Sequence, residues 1–436
     1  TGDLSFSPDG SSVSVPALFV DNHNPVSDPG ETSVESDGYG SVGLGVSRFN
    51  PSVLVIPTGS GGVPHESDTA SILVAGFSKL DDDGTTAVRS YLSSTAYSPN
   101  GDLIYATMEA SSTVVVLSAT PTYPNASGED EIFFDTGGST ISADAAGFAT
   151  SPIVTVATSA GPRGVSFLAD GQAYVHSWLD QGVAPLRADQ AQAHVDNQLA
   201  DGFLDVSDTL VGGNVVKLFP DVLTPDEDAG RRMFFSATAS QMSADGSGVS
   251  CSTCHFDGRN DGLTWTFEDG VRQVPSLAGA VAVTAPFTWT LNVESVAAEA
   301  QITSEGRMGG NGLSYAEAAQ VAAYIETIPT ADSETRGSDD PAVARGKALF
   351  ESATVGCSEC HTGDRMTDND FHSMYGLTDV NTPGLVGVAA SAPYLHDGSA
   401  ATIRDVLETA RQGEMGYTGD LTDDEMADLE AYVLSL

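Results

Sequence analysis

The chain has 436 residues, 40% hydrophobic and 7% aromatic, enough to bury a large core and to make two to four domains. Against 60 acidic residues stand 17 basic ones, only three of them lysines (Lys79, Lys217, Lys347), for a formal charge of −43. A field of that sign repels nucleic acid and anionic lipid and steers basic partners inward; it also suits a surface kept solvated in salt.

No uninterrupted apolar run approaches the roughly 20 residues that a membrane helix needs. The chain opens on TGDLSFSPDG, which is strand-and-turn sequence with no signal peptide, and reads as a mature or trimmed product. Residues 1–222 form the first expected domain, rich in Gly, Ser, Thr, Val and Asp. Three stretches within it share a pattern: LSFSPDGSSVSVPAL from Leu4, STAYSPNGDLIYATMEASSTVVVLSA from Ser94 and GPRGVSFLADGQAYVHSW from Gly161. In each, an apolar strand ends in Asp-Gly or Asn-Gly and a second apolar strand follows. The glycine supplies the positive φ that the turn requires. Recurring hairpins of this kind predict blades of a β-propeller, about five at 40–45 residues each, an incomplete set that points to missing N-terminal sequence; an irregular β-sandwich is the competing arrangement. His23, His65, His176 and His194 show no metal-ligand spacing and read as solvated or core residues.

The texture changes at LTPDEDAGRRMFFSA from Leu223, where Pro225 and the acids mark a helix start. The segment 223–332 forms the second expected domain and 333–436 the third. An acidic, turn-rich linker from Thr330 divides them, and LTDDEMADLEAYVLSL closes the chain as an amphipathic helix capped near Leu421 or Thr422.

These last two domains are one unit written twice. GRRMFFSA precedes CSTCH at Cys251 and GKALFESA precedes CSECH at Cys357; VPSLAGAVAVTAPFTW answers TPGLVGVAASAPYLH; RMGG before a helix answers EMGY before a helix. The four cysteines of the chain, Cys251, Cys254, Cys357 and Cys360, all fall in the two Cys-x-x-Cys-His motifs. That motif reads as covalent attachment of haem c, two thiols bonding the porphyrin edge and the adjacent His255 or His361 placed to ligate iron. A zinc site would leave both histidines unexplained, and a thiol redox pair would explain neither the histidine nor the repeat. Met308 and Met415 stand at matching positions before a glycine, and a thioether there supplies the second axial ligand. Core packing is the alternative for each, and Met366, Met374 and Met426, without counterparts, read as packing or surface residues.

GKALFESATVGCSECHTG and TPGLVGVAASAPYLHDGSAATIRDVLE resemble the di-haem cytochrome c peroxidase family, which includes the methylamine-dehydrogenase maturation enzymes. The likeness covers the C-terminal half, and the Gly161–Trp178 stretch resembles the propeller repeat of propeller-fused relatives. The resemblance implies two packed, mainly α-helical cytochrome domains and two covalently attached haems. It also implies a tryptophan between them at Trp289, His396 near a propionate of the C-terminal haem, and a Ca²⁺ at the domain interface. The loop DGRNDG after His255 is a weak match for that ion.

The chain departs from the family at two positions. The family's N-terminal haem carries a removable distal histidine, yet no histidine lies between His255 and His361. The family's catalytic glutamate before the first Met-Gly pair is here Arg307, which cannot act as a base at ordinary pH. The expected function is therefore electron transfer between two His/Met haems and a redox partner protein with a basic face. The alternative is a di-haem peroxidase-like oxidoreductase with an open N-terminal haem, and a cell-surface or filament subunit with conducting haems is a third reading. Covalent haem attachment occurs outside the cytoplasm, which places the protein in the periplasm or on the surface of a bacterium. Oligomeric state is left open.

Overall fold

The computed structural model describes residues 3–20, 49–58, 70–73, 90–120, 153–201, 209–244, 248–267, 270–290, 293–331, 333, 335, 337–413 and 415–436. His23 and His65 lie outside these residues; His176 is exposed and His194 half-buried.

The N-terminal half is built of strands. Strands β1 (Ser5–Phe6), β2 (Ser12–Val20), β3 (Phe49–Pro57) and β4 (Ala70–Leu73) make one antiparallel sheet in that order. Strands β5 (Ser94–Tyr97), β6 (Leu103–Met108), β7 (Thr113–Ser118) and β8 (Ile153–Ala157) make a second. Strands β9 (Pro162–Phe167), β10 (Ala173–Ser177) and β11 (Gly182–Pro185) form a third; helix α1 (Ala188–Asp201) follows. Strand β12 (Thr209–Val211) then returns to pair in parallel with β8, and β13 (Val216–Lys217) joins β11.

The three predicted hairpins are β1–β2, β5–β6 and β9–β10. Each turns through one glycine at positive φ: Gly10 at 71°, Gly101 at 84° and Gly171 at 86°. The turn is the same each time. The glycine N–H donates to the carbonyl three residues back, of Ser7, Ser98 and Leu168 respectively. In the first two, the serine hydroxyl also donates to the turn Asp9 or Asn100 at 2.7 Å.

Strands β6 and β7 are buried on both faces, as their unbroken apolar runs LIYATM and TVVVLS require. Alternate residues serve two cores. Ile104, Ala106, Val115 and Leu117 pack with Val53 and Val55 of the first sheet. Leu103, Tyr105, Val114 and Val116 pack with Val175 and Ala184 of the third. The second sheet is thus stacked between the other two. Among the described residues of the N-terminal half there are three sheets, not about five blades, and they close no propeller ring.

The C-terminal half is mainly helical. Helix α2 (Pro225–Phe234) starts where Pro225 and the acids predict, with Thr224 and Glu227 in a reciprocal capping box. A short helix α3 (Cys251–Cys254) carries the first attachment motif. The hairpin β14 (Thr264–Phe267) and β15 (Gly270–Gln273), then α4 (Val296–Ile302) and α5 (Tyr315–Ile325) complete this unit. The second unit runs α6 (Pro341–Phe350), the hairpin β16 (Phe371–Met374) and β17 (Leu377–Asn381), α7 (Ile403–Thr409) and α8 (Asp423–Leu434). Thr422 is the N-cap of α8, as expected.

The duplication is visible in packing. Helix α2 crosses α5 at Gly230, and α6 crosses α8 at Gly346. The buried face of α5 is Ala318, Val321, Tyr324 and Ile325; that of α8 includes Met426, Leu429, Tyr432 and Val433, at the same spacing. Among the described residues no helix is long and apolar enough to cross a membrane.

The sheet half docks on the first helical unit through a buried polar cluster. Glu109 is 1% exposed. It accepts from Arg163 Nε at 2.9 Å and from the Trp178 indole N–H at 2.5 Å. Arg163 also reaches Asp257, two residues past His255, and lies 4.5 Å over the Trp178 ring. Burial pushes the Glu109 carboxyl upward, opposed by Arg163. Tyr91, itself buried, donates to Ser252 inside the attachment motif at 3.1 Å. Glu109→Ala leaves the indole N–H unpaired and Arg163 with Asp257 alone, so thermal unfolding should show a loss of roughly 2–4 kcal/mol. That lies somewhat below the roughly 3–5 kcal/mol for breaking a fully buried pair, because Arg163 is 32% exposed and keeps Asp257. A variant that melts with the wild type would show that this cluster does not hold the halves together.

Candidate functional site

Helix α3 presents Cys251 and Cys254 one turn apart, and His255 ends it with its backbone N–H bonded to the Cys251 carbonyl. The second motif is a 3₁₀ turn, Cys357–Glu359, with the same His361-to-Cys357 bond. In both units the ring Nδ1 lies 3.1 Å from a carbonyl, of Arg259 for His255 and Met366 for His361. A carbonyl only accepts, so Nδ1–H donates and Nε2 carries a bare lone pair. That tautomer is the one a metal-ligating histidine needs, held by the second bond that fixes ring orientation. Burial lowers the proton affinity of both rings, that of His255 to about 4. They are therefore neutral imidazoles at ordinary pH.

Burial also pushes the Cys251 thiol up to about 12 and Cys357 up to about 11. A redox pair needs a stabilised thiolate, and these sites do the opposite. None of the four cysteines is paired in a disulfide, so each sulfur is available for a thioether link.

Met308 follows a π-helical turn, Thr303–Arg307, and is 3% exposed. Met415 follows a 3₁₀ turn and is half-buried. Each precedes a glycine at positive φ, Gly309 at 68° and Gly416 at 74°. At Gly416 the backbone passes so near the attachment loop that a Cβ would sit 2.4 Å from the Val355 carbonyl oxygen. Met366 and Met426 pack in the core of the second unit, whereas Met374 joins the cavity wall.

A cavity of about 1420 Å³ brings these parts together. Its wall includes Cys251, Cys254, His255 and Met308 of the first unit and Cys357, Cys360, His361 and Met415 of the second. The volume exceeds the roughly 300–1,000 Å³ of an ordinary single-ligand pocket. Aliphatic and aromatic side chains such as Phe234, Val321, Ile325, Phe350 and Leu407 line much of the rest. The size, the apolar wall and the two bare imidazole nitrogens fit haem.

Trp289 and His396 also face this cavity. Trp289 sits at the seam of the units: its indole N–H donates to the Gln273 carbonyl at 2.9 Å and its carbonyl accepts from Asn381 N–H at 2.9 Å. His396 meets the Trp289 ring edge-on at 6.4 Å, and its carbonyl accepts from Gln273 N–H at 2.7 Å. Burial lowers its proton affinity.

Arg307 lines the cavity beside Met308 and is ion-paired with Glu299. Glu299 also faces the cavity, whereas Glu305 is exposed and turned toward Gly312. Sequence reasoning missed Arg272, Arg365 and Tyr375 as wall residues. The scarcity of basic residues was the one available signal for the two arginines.

The DGRNDG loop uses its polar groups on protein partners. Asp257 pairs with Arg163, Asp261 accepts from the Trp265 indole at 2.9 Å, and Asn260 donates to the Ser391 carbonyl at 2.9 Å across the seam. These contacts argue against the loop as the Ca²⁺ site. Among the described residues the one group of His, Cys and carboxylate ligands close enough to hold a metal is Cys360, Asp368 and His372, and Cys360 belongs to the attachment motif.

Residues 343–436 match the cytochrome c family. Methylamine utilization protein MauG of Methylorubrum extorquens is 27% identical, across 43% of this chain and 69% of MauG. Hydrazine synthase subunit gamma of Kuenenia stuttgartiensis is also 27% identical, across 26% of this chain; the chain spans about half of that subunit (47%). Among solved structures, the diheme peroxidase BthA from Burkholderia thailandensis is similar at a TM-score of 0.38 and 16% identity, covering 50% of this chain and 86% of that one. The attachment motifs, the cytochrome c region and the likeness to MauG and hydrazine synthase subunit gamma support a place near the di-haem cytochrome c peroxidases and MauG-like proteins, to which the chain is similar.

Proposed function

We propose that the protein is an electron-transfer cytochrome with two haem c groups, held by Cys251, Cys254 and His255 in a domain at 223–332 and by Cys357, Cys360 and His361 in a domain at 333–436. Haem supplies the one-electron chemistry; the chain supplies attachment, axial ligands and burial. The observation that carries the reading is that both attachment motifs and both Met-Gly methionines line the same cavity. Met308 and Met415 are the sixth ligands, and a thioether there raises the reduction potential. Trp289, bonded to both units, lies between the haems, and His396 lies beside the second. The 1–222 domain docks on the first attachment motif, and its stacked sheets suit an incomplete propeller. The acidic surface favours a redox partner with a basic face, and covalent haem places the protein in the periplasm or on the cell surface.

A peroxidase-like enzyme with an open first haem is the second reading, and Glu299 favours it. Its Oε1 takes Arg307 and Thr303, while its buried Oε2 has no hydrogen-bond partner in the protein. A carboxylate of the cavity wall with one oxygen uncommitted to a hydrogen bond is what proton transfer at the first iron would use.

Carbon monoxide binding to the fully reduced protein separates the two. With both irons six-coordinate, neither haem binds it, and Met308→Ala opens one haem in two. A wild type that binds carbon monoxide at half its haems, unchanged in Met308→Ala, removes Met308 as a ligand and gives the enzyme reading precedence.

A further inference from the structure

Met308 and Met415 reach the cavity wall by different turns. Met415 follows a 3₁₀ turn, Ala410–Gln412. Met308 follows α4 through the π turn Thr303–Arg307, and its N–H donates to the Thr303 carbonyl at 2.9 Å. A π turn is rare and takes in one residue more than an α-helical turn. One residue is about 100° around a helix axis, so the winding of this turn decides whether residue 308 faces the cavity. The Met308 carbonyl accepts from Ala244 N–H at 2.9 Å, which fixes where the chain leaves the turn but not how the turn is wound. Side chains supply that. Glu299, on α4, accepts at Oε1 from the Thr303 hydroxyl at 3.1 Å and from Arg307 Nη1. Arg307 Nη1 also donates to the Thr303 hydroxyl at 2.5 Å. The carboxylate thus ties the first residue of the turn to the last, and the last is the neighbour of Met308. Among the described residues the second unit has no such tie. Val406 stands as far before Met415 as Glu299 does before Met308, also in the cavity wall, and Arg411 of the 3₁₀ turn pairs with Glu408.

We propose that Glu299 is a positioning residue for the first haem: it closes the π turn and so holds the Met308 thioether toward the iron. This rests on the His/Met reading above. It gives a different use to the carboxylate that an open first haem would employ in proton transfer. Hydrogen bonds to a charged group are the strong ones, and two of them at one oxygen offset the poorer geometry of the π turn. Loss of the tie weakens the methionine bond at the first iron. The second iron, whose methionine is carried by a turn without a carboxylate tie, is unaffected.

The test counts haem per chain, then titrates imidazole into the oxidised holoprotein and follows the charge-transfer band of methionine-ligated haem. Imidazole competes with the thioether for iron, so a weaker methionine bond lowers the concentration needed. The wild type should hold two haems and lose the band in two phases. Met308→Ala should lack one phase, which identifies the first haem. Glu299→Leu should move that phase to about tenfold lower imidazole, the scale of a hydrogen bond to a charged group, and leave the other in place. Glu299→Gln, whose amide oxygen still accepts from Thr303 and Arg307, should recover most of the shift. Glu305→Gln removes an exposed charge from the same turn and should change neither phase. If Glu299→Leu does not hold two haems, Thr303→Val, which cuts one arm of the tie, takes its place with an expected shift of about threefold. Wild-type phases in the variant so read overturn the assignment, as do equal shifts at both haems or an equal shift in Glu305→Gln. Fewer than two haems in the wild type, or a full band in Met308→Ala, overturns the His/Met reading itself, and this assignment with it.

Discussion

Replacing Cys251 and Cys254 together by alanine is expected to halve the covalently bound haem, from two per chain to one, with the remaining spectrum that of the second unit. On the two-haem reading the two cysteines are the covalent hold at the first motif, and burial pushes the Cys251 thiol up. His255 would remain with its Nδ1–H on the Arg259 carbonyl, so a non-covalent ligand stays in place. Haem lost under denaturing conditions but present in the native state would therefore show a site still formed and only the covalent link removed. The matching pair, Cys357→Ala with Cys360→Ala, should remove the other half. The measurement is haem per chain after denaturation, read as the pyridine complex. Unchanged haem in either double variant would sink the assignment of that motif. A chain that binds stoichiometric zinc through these cysteines instead would return the tetrahedral alternative.

How much of this was legible in the sequence depends on the range of the interactions. The hairpins at Asp9-Gly10, Asn100-Gly101 and Asp170-Gly171 were, because a turn is fixed by residues three apart and by one glycine's positive φ. The helix starts at Thr224 and Thr422 were legible for the same local reason: cap and acid lie within one turn. The arrangement of sheets was not. Strand β12 reaches across helix α1 to pair in parallel with β8, a non-local contact that no window of sequence encodes. The attachment motifs and methionines were visible because each repeats at matched spacing, but their convergence on one cavity was not. It depends on contacts such as Asn260 to Ser391 and Asn381 to Trp289, which join residues about a hundred positions apart. Arg272 and Arg365 escaped because a lone arginine in a hairpin or loop carries no periodic signal. Glu299 could be noted only as near in sequence; its pairing with Arg307 is a product of the π-helical turn.

Gly230→Ala and Gly346→Ala should be the most damaging single-atom-scale changes in the helical half. A Cβ at Gly230 would sit 1.8 Å from the Gln320 carbonyl oxygen, and one at Gly346 would sit 1.9 Å from that of Asp428. Both obstacles are backbone, so no side chain can rotate aside and the two helices must part. Overpacking of a closed core costs roughly 1–3 kcal/mol when side chains can adjust, so a loss of about 3 kcal/mol or more is expected for each variant. The damage should not stop at stability. Val321 and Ile325 of α5 line the cavity, as does Val433 of α8, so parting either pair moves the wall against which haem would pack. Gly164→Ala is the control: its Cβ would meet nothing within 4 Å, and its backbone is not in the left-handed region, so stability should be unchanged or slightly raised. Thermal unfolding of the three holoproteins decides it. If both helix-crossing variants melt with the wild type, the close crossings are not as drawn. Losses of similar size at Gly230 and Gly346 would instead show that the duplicated unit is held together twice by the same contact, a glycine against a carbonyl, with the cavity wall depending on it in each copy.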